Sequence, residues 1–347
     1  MSSRPTNSTA DTTEAADTTG ASGATGAERT VRERSGHLFP GQGDFSVGAL
    51  TRALGADRSG VLRAAVREVF AEVDAVAVER ELPPLGPWLL GPAPPTGRDL
   101  AQAPTGTPQL ALYGVSLAVH RALVRSRGAP RVLVGVSFGE IAALTAAGAF
   151  TVSGGARVAH DLARVLVTSC PGGLTLLSCP EATAHGLFRA ASAPEAVVGV
   201  VNDDRSVVAA GPLAALTRVE KTAADAGITA VRLHLPFASH HPALHAPAQE
   251  FAAAVRPYGQ RKLAVPVHSA VAGRAYTDAD DLAARLADCL TRPARVPDAL
   301  RRAAGHGDGR VGALFEAGTG AALASGARAT LPGTTVHAPL AEPGFPW

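Results

Sequence analysis

The sequence predicts an α/β protein in which a large lobe carries a smaller inserted β-α-β-β-α-β unit, and three observations lead there. The first is Gly135-Val136-Ser137-Phe138-Gly139, a G-x-S-x-G pentapeptide set between the apolar run Arg131-Val132-Leu133-Val134 and an Ala/Leu-rich run over residues 141–147. A serine on a sharp strand-to-helix turn holds its hydroxyl clear of the sheet, and flanking glycines let the helix start pack closely on the strand. The second is the alternation of strand and helix patterns up to about residue 169: a strand at 37–39, helical stretches through 62–78 and 110–123, then the elbow and its helix. The third is a change of pattern after Gly172. Residues 174–178, 196–201, 206–210 and 230–235 read as strands, with helices near 181–191 and 213–226.

The elbow also points to chemistry. A helix N-terminus directs backbone N–H groups at whatever charge develops beside Ser137. Upstream, Leu38-Phe39-Pro40-Gly41-Gln42-Gly43 ends an apolar stretch as a βα loop does, and downstream Phe237-Ala238-Ser239-His240-His241-Pro242 supplies histidines in a loop. A serine nucleophile needs a base that takes its proton and returns it to the leaving group, a task imidazole suits. On spacing alone, either His240 or His241 fits.

Composition narrows the class. A chain of 347 residues is long enough for a substantial core and one auxiliary unit. Residues 1–34 are rich in Ser, Thr, Ala and Gly, without the apolar segment of a signal peptide or helical periodicity, and read as a disordered tail. No run of eighteen apolar residues argues for a membrane span, and a cytoplasmic protein is expected. The net charge of +2, with no basic run interleaved with aromatics, argues against nucleic acid. Cys170, Cys179 and Cys289 have no metal-ligand spacing and read as buried small hydrophobes. No histidine pattern indicates a metal, so none is expected. Arg292, Arg295, Arg301 and Arg302 form a sequence cluster that reads either as a patch for an acidic partner or as a solvated helix face.

Five segments occur in an order that resembles malonyl-CoA:acyl-carrier-protein transacylases and the acyltransferase domains of polyketide synthases. They are Phe39-Pro40-Gly41-Gln42-Gly43, Gly135 to Glu140, Val201-Asn202, Phe237-Ala238-Ser239-His240, and Pro266 to Gly273, and the resemblance covers roughly residues 36–340. It implies a large α/β-hydrolase-like lobe with an inserted ferredoxin-like subdomain. The implied division is a tail at 1–34, the large lobe at 35–170 and 237–340, the small subdomain at 171–236 and a C-terminal tail at 341–347. It further implies that Ser137 is the nucleophile, that His240 is its base, and that the backbone N–H groups of Gln42 and Phe138 form the oxyanion hole. A main-chain carbonyl, matched here at Cys289, would orient the histidine, leaving a Ser-His dyad with His241 as runner-up. Asn202 is matched to a position near the thioester or pantetheine; a plain Asn-Asp turn is the alternative. Gln109 matches a residue that caps a helix or braces a loop. The last strand and its glycine turn are expected at Phe315 to Gly320.

Two departures bear on substrate. Members that use carboxylated acyl groups carry an arginine in the helix after the elbow, and a guanidinium pairs bidentately with that carboxylate. Ungapped counting from Ser137 and Gly148 puts Leu162 there. A malonyl carboxylate buried against leucine would lie unpaired at a cost of roughly several kcal/mol. Alternatively a register slip brings Arg157 or Arg164 into the role. Val136 stands where the family usually has histidine, and Phe237 opens an x-A-S-H segment of the type associated with branched acyl units.

The expected activity is therefore transfer of a non-carboxylated acyl group, short-chain, starter or aminoacyl, through acyl-Ser137 to the phosphopantetheine thiol of an acyl carrier protein in polyketide or related biosynthesis. Donor thioesters on coenzyme A or a carrier are substrates, and no permanently bound cofactor is expected. The chain reads as a discrete, trans-acting member. Alternatives are an editing acyl-carrier hydrolase, a malonyl transacylase with a displaced arginine, and a non-catalytic docking relative.

Overall fold

The computed structural model describes residues 35–44, 47–307 and 310–347; the expected tail at residues 1–34 lies outside them. Eleven strands among these residues form two mixed sheets. The larger runs β11-β10-β1-β2-β7-β8, built from β1 (Ser35–Phe39), β2 (Val132–Gly135), β7 (Val267–Ser269), β8 (Arg274–Ala275), β10 (Ala313–Glu316) and β11 (Thr335–His337). All its pairings are parallel except β7 with β8. Parallel strands buried on both faces are continuous apolar runs, and β2, Val-Leu-Val-Gly, is buried throughout.

The smaller sheet runs β6-β3-β5-β4-β9, from β3 (Gly173–Leu177), β4 (Val197–Asp203), β5 (Ser206–Gly211), β6 (Ala230–Arg232) and β9 (Ala294–Arg295). The first four are antiparallel neighbours, whereas β9 joins β4 in parallel, pairing Val200 with Ala294 and Val201 with Arg295. Residues 294–295 were expected in the large lobe. They instead cover the edge of β4, an edge that would otherwise expose unpaired backbone groups, and so join the two lobes. Strand β11 likewise follows the segment expected to be the last strand.

Alternation explains the small sheet's two faces. Val207 and Ala209 point to a core shared with helices Glu181–Ala190 and Leu213–Asp225, while Val208 and Ala210 join Leu174 on the opposite face. An antiparallel sheet with a solvated second face carries polar residues there; this one is apolar because that face closes the cleft between lobes. In the large lobe, helix Thr107–Arg127 is buried nearly all round, as expected of a central helix packed on every side.

One glycine fixes how three large-lobe helices approach. A Cβ on Gly155 would lie 2.2 Å from Thr145 Oγ1 and 2.3 Å from Tyr113 Oη, whose hydroxyl donates to Val152 O at 2.8 Å. Helix propensity alone favours alanine there by about 1 kcal/mol. The clash reverses that sign, and Gly155→Ala is expected to destabilise the protein by about 1–3 kcal/mol in urea unfolding.

Candidate active site

Strand β2 ends at Gly135, and the chain enters helix Gly139–Ala146 through Ser137, whose φ is +55°. The left-handed region costs a residue with a Cβ roughly 1–2 kcal/mol. Gly139 cannot be larger: a Cβ would sit 2.2 Å from Phe39 O and 2.5 Å from Pro40 O. The loop after β1 therefore lies directly on the elbow, with Val136 N–H donating to Phe39 O at 3.1 Å.

His240 is the second non-glycine residue of the site at positive φ, +56°, and is buried. Ser137 Oγ lies 2.8 Å from His240 Nε2, and His240 Nδ1 lies 2.8 Å from Arg292 O. A carbonyl only accepts, so Nδ1 carries the proton and Nε2 presents a lone pair to the Ser137 hydroxyl. Desolvation lowers the imidazole from its usual range to about 4, opposed by the bond to Arg292 O. The ring is neutral at pH 7 and able to accept a proton.

The carbonyl expected to orient the ring was that of Cys289; the structure assigns this to Arg292. Cys289 O instead accepts the backbone N–H of His240 at 3.2 Å. The reason lies at a helix end. Helix Leu282–Thr291 stops before Arg292, which is extended at φ −113°, ψ 146° as residues preceding proline are, and this turns its carbonyl out of the helix line. The Thr291-Arg292-Pro293 sequence held that signal.

His241 is not placed to act on Ser137. Its Nε2 meets Glu195 O at 2.9 Å and its Nδ1 accepts Ala243 N–H at 3.2 Å. Gln42 and Phe138 frame the elbow: Gln42 begins a short 3-10 turn on the cavity wall, and Phe138 is the N-cap of the elbow helix. Gln109 braces the loop through Nε2–H to Gln42 Oε1 at 2.9 Å.

A cavity of about 290 Å³ opens from Ser137 and His240 between the lobes. One wall is the apolar face of the small sheet, including Leu174, Leu176 and Val208; Val296 and Leu323 also line the cavity. Val136, Phe237 and Asn202 all line it, with Asn202 Nδ2 donating to Ser206 Oγ at 3.2 Å. Among the described residues lining it there is no Lys, Arg, Asp or Glu. The small sheet comes close because β4 carries Gly199, where a Cβ would meet His240 Cβ at 3.1 Å.

Leu162 does not line the cavity as expected. It is buried in the large-lobe core on helix Val152–Ser169. A leucine ends at Cδ, where an arginine continues into its guanidinium, and it stays with the apolar stripe of its helix. Arg157 and Arg164 do not replace it: Arg157 pairs bidentately with Glu79, and Arg164 binds Glu250 at 2.8 Å, all four at the exterior. In the downstream cluster, Arg295 pairs bidentately with Glu181, Arg292 with Asp288 and Arg301 with Asp298. All three cysteines are free and buried. Among the described residues no cluster suited to a metal occurs, and no helix is long and apolar enough to cross a membrane.

A strand-to-helix elbow carrying Ser137, a neutral histidine and a cleft between two mixed sheets define an α/β protein suited to acyl transfer. The chain belongs to the acyl transferase domain family, whose profile matches residues 99–331. It is 37% identical over 161 residues, 46% of its length, to a spectinabilin polyketide synthase system protein of Streptomyces orinoci. It is 35% identical over 140 residues, 40% of its length, to a phenolphthiocerol/phthiocerol polyketide synthase of Mycobacterium tuberculosis. The matches span 4% and 9% of those long proteins. The acyltransferase domain from the second module of the salinomycin polyketide synthase superposes with a TM-score of 0.71 at 26% identity, covering 90% of this chain and 70% of that one. An acyl carrier protein S-malonyltransferase of Vibrio cholerae shares the fold, with a TM-score of 0.74 at 24% identity over 88% of this chain and 96% of its own.

Two outcomes follow from the geometry. Ser137→Gly, which relieves the left-handed strain, is expected to be more stable than Ser137→Ala by about 1 kcal/mol in paired denaturant titrations. Burial holds His240 in its neutral form, so any step in which it accepts a proton, read by rapid quench, is expected to stay level below neutrality and to fall as pH drops through about 4.

Proposed function

We propose that this chain moves an uncharged acyl group from a thioester of coenzyme A or a carrier protein, through an ester on Ser137, to the phosphopantetheine thiol of an acyl carrier protein in polyketide or related biosynthesis. The observation that carries the substrate part is the absence of any Lys or Arg among the described residues lining the cavity at Ser137. With Leu162 in the arginine position and Arg157 and Arg164 engaged outside, a malonyl carboxylate would be desolvated without a cation. Val136, beside the nucleophile, adds to the apolar lining.

In the first half-reaction Ser137 Oγ attacks the thioester carbonyl carbon as its proton passes to His240 Nε2. The oxyanion is held by the N–H groups of Gln42 and Phe138, the C–S bond breaks, and the departing sulfur takes the proton back from His240. In the second, a carrier thiol gives its proton to His240 and its sulfur attacks the ester carbonyl. The C–O bond breaks and Ser137 recovers the proton. The 2.8 Å contacts on both ring nitrogens of His240 support this sequence, and so do the names of the family and of the synthases among the relatives.

The purified chain, incubated with malonyl-, methylmalonyl-, acetyl-, butyryl- and aminoacyl-thioesters with and without holo carrier protein, is read by the mass of the Ser137 peptide and of the carrier. An uncharged acyl adduct that moves to the carrier, absent in Ser137→Ala, is the expected result. Free acid released without carrier loading would make the protein a hydrolase. A malonyl adduct formed at a rate matching the uncharged acyl groups would overturn the substrate assignment.

A further inference from the structure

We propose that Glu140 is a positioning residue, clamping the helix of the nucleophile to the segments that hold the histidine. The inference rests on the reading of Ser137 and His240 as nucleophile and base. Glu140 lies three residues after Ser137, in the first turn of the elbow helix, and is fully buried. It occupies space left by a glycine: a Cβ on Gly135, the last residue of β2, would lie 2.8 Å from Glu140 Cγ.

Its carboxyl hydrogen-bonds two other segments. Ser269 Oγ–H, at the end of β7, donates to Oε1 at 2.8 Å, and Tyr276, just after β8, bonds Oε2 through its hydroxyl. Ser269 Oγ in turn accepts the N–H groups of Val271 at 3.1 Å and Ala272 at 2.8 Å, which leaves its own proton for Glu140. A third segment, helix Leu282–Thr291, lies beside it: the Cys289 thiol faces Glu140 and donates to Ser137 O at 4.0 Å. That helix carries the histidine's supports: Cys289 O takes the His240 N–H, and Arg292 O, just beyond the helix, takes the Nδ1 proton. Glu140 thus ties the turn that aims Oγ to the Ser269 segment, whose neighbour Ala270 takes the Arg295 N–H on its carbonyl at 2.8 Å, just beyond the helix end that aims Nε2.

An apolar side chain of similar size would fill this site without the desolvation cost of a carboxyl. That cost is visible in the acidity of Glu140, which burial raises to about 7 with Tyr276, Cys289 and Asp288 facing it. A displacement of about 1 Å between reacting groups lowers a rate by about a hundredfold, so a clamp between these two elements acts on the chemistry without touching substrate.

The test compares full-length wild type, Glu140→Gln, Glu140→Ala and Tyr276→Phe. Acylation of Ser137 by butyryl-CoA is followed by mass spectrometry, and the histidine ring N–H signals are followed by ¹⁵N NMR, with the His240 signal assigned from its loss in His240→Ala. Glu140→Ala is expected to slow acylation at saturating thioester by about a hundredfold with the half-saturating concentration unchanged. It should also shift or broaden the His240 Nδ1–H signal. Glu140→Gln, which keeps an acceptor for Ser269, is expected to remain within about threefold of wild type with its His240 signal in place. Wild-type acylation and an unmoved His240 signal in folded Glu140→Ala would overturn the proposal. If Glu140→Ala does not fold, Tyr276→Phe decides by the same two readouts, with a severalfold slowing at constant half-saturation expected and wild-type behaviour overturning it. If wild type accepts no acyl group, the functional reading fails, and the His240 signal alone still decides whether Glu140 positions the ring.

Discussion

The 2.8 Å contact between Ser137 Oγ and His240 Nε2 joins residues 103 positions apart, and much of the fold can be understood as what that contact demands. Both residues sit at positive φ, a strain that persists only where the surroundings over-determine it. For Ser137 the surroundings are β2, the elbow helix and the β1 loop, packed so tightly at Gly139 that no Cβ fits. For His240 they are Gly199 of the small sheet on one side and the end of helix Leu282–Thr291 on the other. The small lobe is therefore more than a lid: it packs against His240, and β9 ties it to the same stretch of chain whose Arg292 carbonyl fixes the tautomer.

The sequence made the scaffold legible wherever a side-chain period does the work. The helix read at 62–78 is Val61–Glu79, the strand read at 206–210 is Ser206–Gly211, and the elbow falls where the pentapeptide placed it. Two-residue strands such as β8 and β9 carry no period, and their existence depends on what lies beside them in space. The carbonyl that orients His240 escaped for a related reason. Peptide carbonyls are the same at Cys289 and Arg292, so only backbone direction at the helix end distinguishes them. Leu162 illustrates a different limit: counting along a helix gives the position of a side chain but not its reach.

Charge is distributed in the way the site requires. Arg157, Arg164 and Arg295 are held at the exterior by Glu79, Glu250 and Glu181. The cleft side of the small sheet is left to Leu174, Leu176 and Val208. In so apolar a setting the backbone donors that the proposed reaction calls for would act with little screening by water. The same setting disfavours an imidazolium, which is why His240 remains a free base down to about pH 4.

On the proposed function, these two properties bear on which acyl group the site takes. A carboxylate carried into the cleft would be desolvated and, with no arginine to pair with, would find its nearest compensation in protonating His240. The ring would then hold a proton on Nε2 and could no longer accept the one on Ser137. An arginine beside the substrate solves both problems at once, because it neutralises the carboxylate and leaves the imidazole's own balance unchanged. A cleft whose described walls hold neither cation nor anion reaches the same end differently: the base stays neutral provided the substrate is neutral as well. On the proposed reading, the uncharged lining of the cleft and the lowered basicity of His240 are thus two parts of one design for uncharged acyl groups.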